Sequence, residues 1–362
     1  MSHVPRFVDL VGVKFPIVLA PMAGPGTAEL AAAVTEAGGL GSLPCAMLTR
    51  EQIAGGVAAI RGRTSLPFNL NFFCHQPPDI DVARETAWSA RLAPYYRELG
   101  LDPSAPASAA DRKPFDETMC ELVEELRPPV VSFHFGLPGR ALLGRVKAAG
   151  ATVLSSATTT EEARWLEQHG CDVIIAQGYE AGGHRGLFLA DDIRTQPGTL
   201  ALVPQVVDAV KVPVIAAGGI ADARGIAAAL ALGASAVQLG TAYLRCPEAR
   251  LHPAHRAALK AASDDGTALT NVFTGRPARG LLNRLVREVG PMSTEAPAFP
   301  RAARAIGPLR ASAEADGRLD FTPLWAGQAA RLGRDLPAAE LTRSLMEETR
   351  ALLAYASGWL DA

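Results

Sequence analysis

The run Gln177-Gly178-Tyr179-Glu180-Ala181-Gly182-Gly183-His184-Arg185-Gly186 sets one imidazole among glycines. Glycine lets a backbone come close to a ligand. A histidine held there can act as acid, base or anion partner near neutral pH. In Val214-Ile215-Ala216-Ala217-Gly218-Gly219-Ile220, an aliphatic stretch ends in paired glycines just before a helical pattern. Backbone N–H groups and a helix N-terminus favour a phosphate at such a turn. Gln238-Leu239-Gly240-Thr241 is a further small turn, with a hydroxyl. Ala20-Pro21-Met22-Ala23-Gly24 suits contact with a flat ring, or an ordinary strand-to-helix turn. In Phe68-Asn69-Leu70-Asn71-Phe72-Phe73 the two amides share one strand face. Inside a barrel they need partners, either backbone or ligand.

The other polar residues near these runs carry less. Glu180 can orient a backbone or close a turn, and Arg185 can pair with an acid or face water. Neither is read as catalytic. His134, inside the strand-like Ser132-Phe133-His134-Phe135-Gly136, can line a pocket. His3, His75, His169, His252 and His255 have no comparable setting. HExxH, clustered metal ligands and a GxSxG nucleophile turn are all missing, so no metal residue is assigned.

These runs need elements to hold them. Short aliphatic segments read as strands at Ile17–Ala20, Leu40–Leu43, Phe68–Phe73, Val130–Phe135, Thr152–Ser156, Val173–Gln177, Val214–Ala217 and Ala236–Leu239. Helical patterns fall between them at Ala28–Ala37, Arg50–Arg61, Arg140–Ala149, Thr160–His169, Val203–Ala209 and Ala223–Leu232. Such alternation implies a parallel sheet, and eight units suggest a closed (β/α)₈ TIM barrel of the α/β class. An open doubly wound sheet competes, but no GxGxxG follows an early strand. The glycine turns then follow the sixth, seventh and eighth strands, at the end of the barrel where sites sit. Gly38, Gly150, Gly170 and Gly233 each follow a helical pattern and read as stop signals. Thr160 reads as an N-cap before Glu161 and Glu162.

Residues 76–128 are too long for one crossover and read as an insertion after the third strand, with a helical patch at Val82–Leu99 and a Ser/Ala/Pro stretch at 103–114. The barrel is therefore assigned to 1–260. Residues 261–362 form a C-terminal helical extension that covers the mouth, with a loop-rich part at 290–323 and a closing helix near Ala338–Leu353.

Composition removes several functions. The chain has 362 residues and is 48% hydrophobic, enough for a large core, and its net charge is −2 with no basic block. Nucleic acid and anionic membrane surfaces are therefore poor partners. Cys45, Cys74, Cys120, Cys171 and Cys246 are scattered and odd in number, which suits reduced, buried thiols. Met1–Phe15 shows no secretory leader and no apolar run reaches a membrane span, so a cytoplasmic protein is expected.

Taken together, the runs resemble the nitronate monooxygenase family, formerly the 2-nitropropane dioxygenases, over nearly the whole chain. The resemblance rests on Ala20–Gly24, Asn69-Leu70-Asn71, Gln177–Gly186, Ala216–Ile220, Gln238–Thr241 and Leu324-Trp325-Ala326-Gly327-Gln328. It implies FMN at the barrel mouth, contacted by Met22, Asn71, Gln177, Gly182, Gly219, Gln238, Leu239, Gly240 and Thr241, with His184 as the active-site histidine. Members often carry a tyrosine near Pro297–Pro300, where this sequence has Phe299. The implied partners are a small nitronate and O2, in a monomer or homodimer, with a carbonyl compound and nitrite as products. His184 would stabilise the anion as imidazolium, or take the α-proton of a neutral nitroalkane as imidazole. Two alternatives stay open: an NAD(P)H:quinone or enoyl-thioester reductase on the same flavin barrel, and a flavin-free barrel for a phosphate ligand.

Overall fold

The computed structural model of the chain describes residues 6–102 and 112–357. The Ser/Ala/Pro stretch, up to residue 111, lies outside them, as do residues 1–5 with His3. The chain opens with α1 (Phe7–Val11), β1 (Ile17–Leu19), α2 (Ala28–Ala37), β2 (Gly41–Pro44), α3 (Arg50–Arg63) and β3 (Phe68–Phe73). It continues with α4 (Val82–Glu98), α5 (Glu117–Leu126), β4 (Val130–His134), α6 (Arg140–Ala148), β5 (Thr152–Ala157), α7 (Thr160–Gln168) and β6 (Val173–Gln177). Next come the two-residue β7 (Gly183–His184), α8 (Thr199–Ala209), β8 (Val214–Ala217), α9 (Ala223–Ala231) and β9 (Ala236–Leu239). Beyond these lie α10 (Pro253–Lys260), β10 (Thr267–Thr270), β11 (Ala278–Leu281), α11 (Arg284–Val289), α12 (Ala302–Ala315) and α13 (Ala338–Ser357).

Eight strands pair in parallel in the order β1-β9-β8-β6-β5-β4-β3-β2, and a parallel bridge between Val18 and Leu40 joins the two ends. This is the expected (β/α)₈ barrel, built from the eight segments read as strands. The period of two along each strand explains the two cores. Ile17, Leu19, Leu70, Phe72, Val131, Phe133, Ile174 and Val237 point outward and pack under the helices. Val18, Leu40, Val130, Leu154, Val173, Ile175 and Ile215 point inward, and Phe7 and Val11 of α1 join them. Fully burying each such side chain contributes roughly 1.5–3 kcal/mol. The lower barrel is thus apolar, and the polar inward residues gather nearer the mouth.

Several local expectations shift. Thr159, not Thr160, caps α7; its hydroxyl accepts from Glu162 N at 3.1 Å. Three consecutive threonines offered the position, and Thr159 is the one with extended backbone before the first turn. The helix read from Val203 begins at Thr199, with Pro204 inside it. Its first N–H ends on the carboxylate of Glu180, at 2.8 and 3.0 Å, a start signal supplied from a distant loop. Gly38, Gly150, Gly170 and Gly233 all have positive φ, as stop signals require.

The stretch 76–128 divides in two. Its α5 packs against α3 and α6 in the outer ring, whereas α4 packs against α12. Trp88 on α4 is buried and donates Nε1–H to Ala302 O at 3.3 Å. The stretch after 260 is likewise used twice. Helix α13 packs against α2 and α9, so it takes the ring position after β9 although residues 240–337 intervene. Earlier parts of it reach the mouth, where β10 and β11 form an antiparallel sheet with β7. That sheet had no counterpart in the sequence reading. Among the described residues, no helix is long and apolar enough to cross a membrane.

Candidate active site at the barrel mouth

A cavity of about 540 Å³ opens at the C-terminal ends of the barrel strands. It is lined by eight of the nine residues expected to hold a cofactor: Met22, Asn71, Gln177, Gly182, Gly219, Gln238, Gly240 and Thr241. His184 and His134 also line it. Leu239 does not; its fully buried side chain belongs to the layer between sheet and helices. Parity along β9 explains this, because Gln238 is the residue that faces inward.

One end of the cavity is a backbone cradle. Gly218 and Gly219 have φ of 121° and 67°, values that L side chains rarely adopt. A Cβ on Gly219 would lie 3.2 Å from Glu180 Cβ, so Glu180 sets the shape of this turn. Thr199 Oγ1 bonds Gly218 O at 3.0 Å and ties the turn to α8. Asp222 caps α9, accepting from Arg224 N and Gly225 N, so the N–H groups left for a ligand lie earlier, at Gly219 and Ile220, and across the turn at Gly240 and Thr241. Thr241 Oγ1 accepts from Gly327 N at 2.9 Å, and this clamps the tail over the cradle. Gly182 admits that tail, since a Cβ there would lie 2.6 Å from Gly327 N.

The other end is built around His184. Strand β7 pairs with β11, so Ala278 and Arg279 hold the His184 backbone in register. Its carbonyl accepts from Gln177 Nε2 at 3.0 Å and pairs with His134 Nε2 at 3.2 Å. Gln177 Oε1 accepts from Gly186 N at 2.7 Å, so this amide is committed to holding the histidine loop. Asn71 donates to Ser132 Oγ at 2.9 Å, and Asn69 donates to Ser42 Oγ and Ser132 Oγ at 3.0 and 2.8 Å. Asn71 thus lines the cavity, and Asn69 ties the strands together behind it.

His184 Nε2 lies 2.9 Å from Thr274 Oγ1, whose hydroxyl is directed at Arg276 O at 3.4 Å. The pattern is satisfied when Nε2–H donates to the threonine, which leaves the Nδ1 lone pair for the cavity. Burial holds the His184 pKa well below 6.5, and the cations Arg112, Arg276 and Arg185 push the same way. Burial also takes His134 down to about 3, so it serves as a neutral hydrogen-bonding post with Ser156 Oγ 3.0 Å from Nδ1. Phe299 stands 5.3 Å from the His184 ring and Trp325 5.4 Å. Phe299, where the family resemblance led to the expectation of a tyrosine, therefore touches the site but offers no hydroxyl. Phe135, at a φ of 72°, is strained for a bulky residue and packs 4.4 Å from His134.

Arg185 differs from both of its expected settings. It neither faces water nor sits in an ion pair. Its guanidinium is fully buried and donates to the carbonyls of Gly178, Tyr179, Ala181, Gly182 and Gly183, curling the loop around itself. Glu180 does orient a backbone, as read.

Several lining residues went unread: Arg112, Ser132, Ser156, His252, His255, Arg310 and Trp325. His252 caps α10, His255 lies in its first turn, and both line the cavity; His75 stands 4.9 Å from Phe299. Trp325 and Ser132 belonged to quoted runs, His252 and His255 were read as lacking such a setting, and nothing local marked the rest.

A parallel barrel with a glycine cradle after its last two strands and a half-buried imidazole lining the same cavity has the layout of a barrel enzyme with its ligand site at the mouth. Residues 5–348 match the family model described as nitronate monooxygenase. The chain is 46% identical over 347 residues to a nitronate monooxygenase of Pseudomonas aeruginosa, covering 95% of this chain and 99% of that one. Its fold matches a nitroalkane oxidase from Streptomyces ansochromogenes with a TM-score of 0.88 at 40% identity, over 96% and 99% of the two chains. FabK from Thermotoga maritima matches with a TM-score of 0.75 at 29% identity, over 99% and 100%. The chain belongs to the nitronate monooxygenase family, and is an oxidoreductase.

Proposed function

We propose that this enzyme binds FMN and uses O2 to oxidise alkyl nitronates, and the nitroalkanes that yield them, to carbonyl compounds and nitrite. The observation that carries the reading is His184, a neutral imidazole fixed through Nε2 and open to the cavity through Nδ1. Its relatives' names, nitronate monooxygenase and nitroalkane oxidase, point to the same chemistry. The residues present fit the cofactor. Gly219, Ile220, Gly240 and Thr241 offer N–H groups to a phosphate, while Met22, Asn71 and Gln238 border the space for a ring and chain. When bound, FMN supplies the electron acceptor that links the substrate to O2.

The chain's own residues handle the proton and the charge. A neutral nitroalkane loses its α-hydrogen as a proton to His184 Nδ1, and the C–H electron pair moves onto the nitro oxygens. The imidazolium so formed faces an anion, which offsets its lack of a carboxylate partner. Phe299 and Trp325 keep water from the ring. Over the full reaction, two nitronates and one O2 give two carbonyl compounds and two nitrites. The five cysteines, all buried free thiols, suit the reducing conditions of a cytoplasmic enzyme.

One other reading is kept, a pyridine-nucleotide-dependent reductase on the same barrel. Oxygen uptake by protein with a confirmed flavin spectrum separates them. Rapid uptake with propyl-2-nitronate and none with NADH or NADPH supports the oxidation. Flavin reduction by either nucleotide without nitronate turnover removes it.

A further inference from the structure

Three guanidiniums surround His184, and two of them are already engaged. Arg185 is spent on the carbonyls of its own loop. Arg276 donates to Arg185 O and Leu187 O and lies 4.1 Å from the Phe135 ring centroid. Arg112 is different. It lines the cavity, sits 5.5 Å over the Phe299 ring, and makes no ion pair or hydrogen bond from its guanidinium among the described residues. Its Nη1 is buried with no partner. The segment is not adrift: Phe115 N donates to Phe73 O at 2.7 Å, and the Phe115 ring packs 5.0 Å from Phe72. A half-buried cation with a fully buried, unmet Nη1 donor calls for an anion.

We propose that Arg112 receives the nitro oxygens of the substrate. The inference rests on the oxidation of nitro compounds proposed above. Phe299 lies against both Arg112 and His184 and holds the two groups toward one space. As His184 takes the α-proton, negative charge arrives on the nitro oxygens, and Arg112 N–H groups accommodate it without losing a proton. The guanidinium stays charged at neutral pH, because burial lowers its pKa only to about 10. Its planar fork matches the two oxygens of a nitronate. The substrate class is then a nitro compound small enough to place that group between Arg112 and His184.

The test uses flavin-loaded wild-type protein with R112M and R112K. Calorimetry measures binding of nitrate, a planar oxyanion, and oxygen uptake gives KM and kcat for propyl-2-nitronate. R112M is expected to weaken nitrate binding and raise the nitronate KM by roughly 30-fold or more, with R112K between it and wild type. Flavin content should stay constant. Nitrate bound equally by all three proteins, or not bound by wild type, overturns the proposal, as does an R112M KM within about 3-fold of wild type. Should R112M fail to fold, wild-type values in R112K overturn it, because a lysine lacks the fork. Nitrate binding that depends on Arg112 in an enzyme that turns over no nitronate supports the anion site and instead removes the activity reading.

Discussion

The two ends of the cavity handle negative charge by opposite means. At the cradle, Gly219, Ile220, Gly240 and Thr241 offer backbone dipoles, and the nearby carboxylates of Glu180 and Asp222 are satisfied by α8 and α9. At the His184 end, Arg112, Arg185 and Arg276 stand with the half-buried imidazoles of His134 and His184, and among the described residues no carboxylate is in hydrogen-bonding contact with them. Backbone dipoles cannot titrate and suit a group that stays bound. Buried side-chain cations strengthen as an anion forms beside them, which suits a step that creates charge. The comparison teaches that one end is built to hold and the other to react.

The sharpest way to break it is His184→Asn. If proton removal belongs to this end alone, turnover of a neutral nitroalkane should fall by about 10²–10⁴-fold. FMN affinity, measured by fluorescence titration, should stay within a few-fold. Unchanged turnover, or lost FMN, would show that the two ends do not divide the work this way.

Next in size is Arg185→Met, which leaves the 178–183 carbonyls without their shared donor. The loop joins both ends, so destabilisation of about 3–5 kcal/mol is expected, read as a lower denaturation midpoint. Arg185→Lys should not restore it, since one ammonium cannot reach carbonyls spread around a planar fork. Full stability in either variant would mean that Glu180 and the tail hold the loop without the guanidinium.

What could be read from the chain divides along the same line. The cradle is local: a strand, paired glycines and a helix follow one another, and that succession is visible in the sequence. The barrel was legible for the same reason, because buried parallel strands are short aliphatic runs. The His184 end is assembled from Arg112, Thr274, Arg276, Phe299 and Trp325, which topology alone brings together. The mispredicted Arg185 shows the limit. An arginine after a glycine run reads as a surface charge, and its burial depends on five carbonyls curling back toward it. Leu239 shows a smaller one, since the motif contains it and strand parity turns its side chain away.

Gly219→Ala tests the cradle itself. A Cβ at φ 67° costs about 1–2 kcal/mol and crowds Glu180. If the turn holds phosphate through its backbone, the Kd for FMN should rise about 10-fold. The pH dependence of the nitroalkane step should not move. A shifted pH profile with unchanged FMN affinity would reverse the assignment of the two ends.

The smallest effect is in stability against pH. His75 and His134 are held at about 4 and about 3 by burial, and His184 well below its ordinary value. Well above pH 6.5 they are neutral in both folded and unfolded chains and contribute no slope. Below it the unfolded chain binds protons that the native mouth refuses, so stability falls as pH drops from about 6.5 toward 4. Each such histidine contributes up to about 1.4 kcal/mol per pH unit in that window. Urea unfolding at pH 7.5, 6.5 and 5.5 measures the slope, and His134→Asn should reduce it while leaving the cradle's FMN affinity in place. The measured points, at pH 5.5 and above, stay above the range where carboxylates protonate, so the slope between them reports the imidazoles. A flat profile between pH 6.5 and 5.5 would mean that the His184 end tolerates protonated imidazoles, and the contrast between the two ends would lose its electrostatic basis.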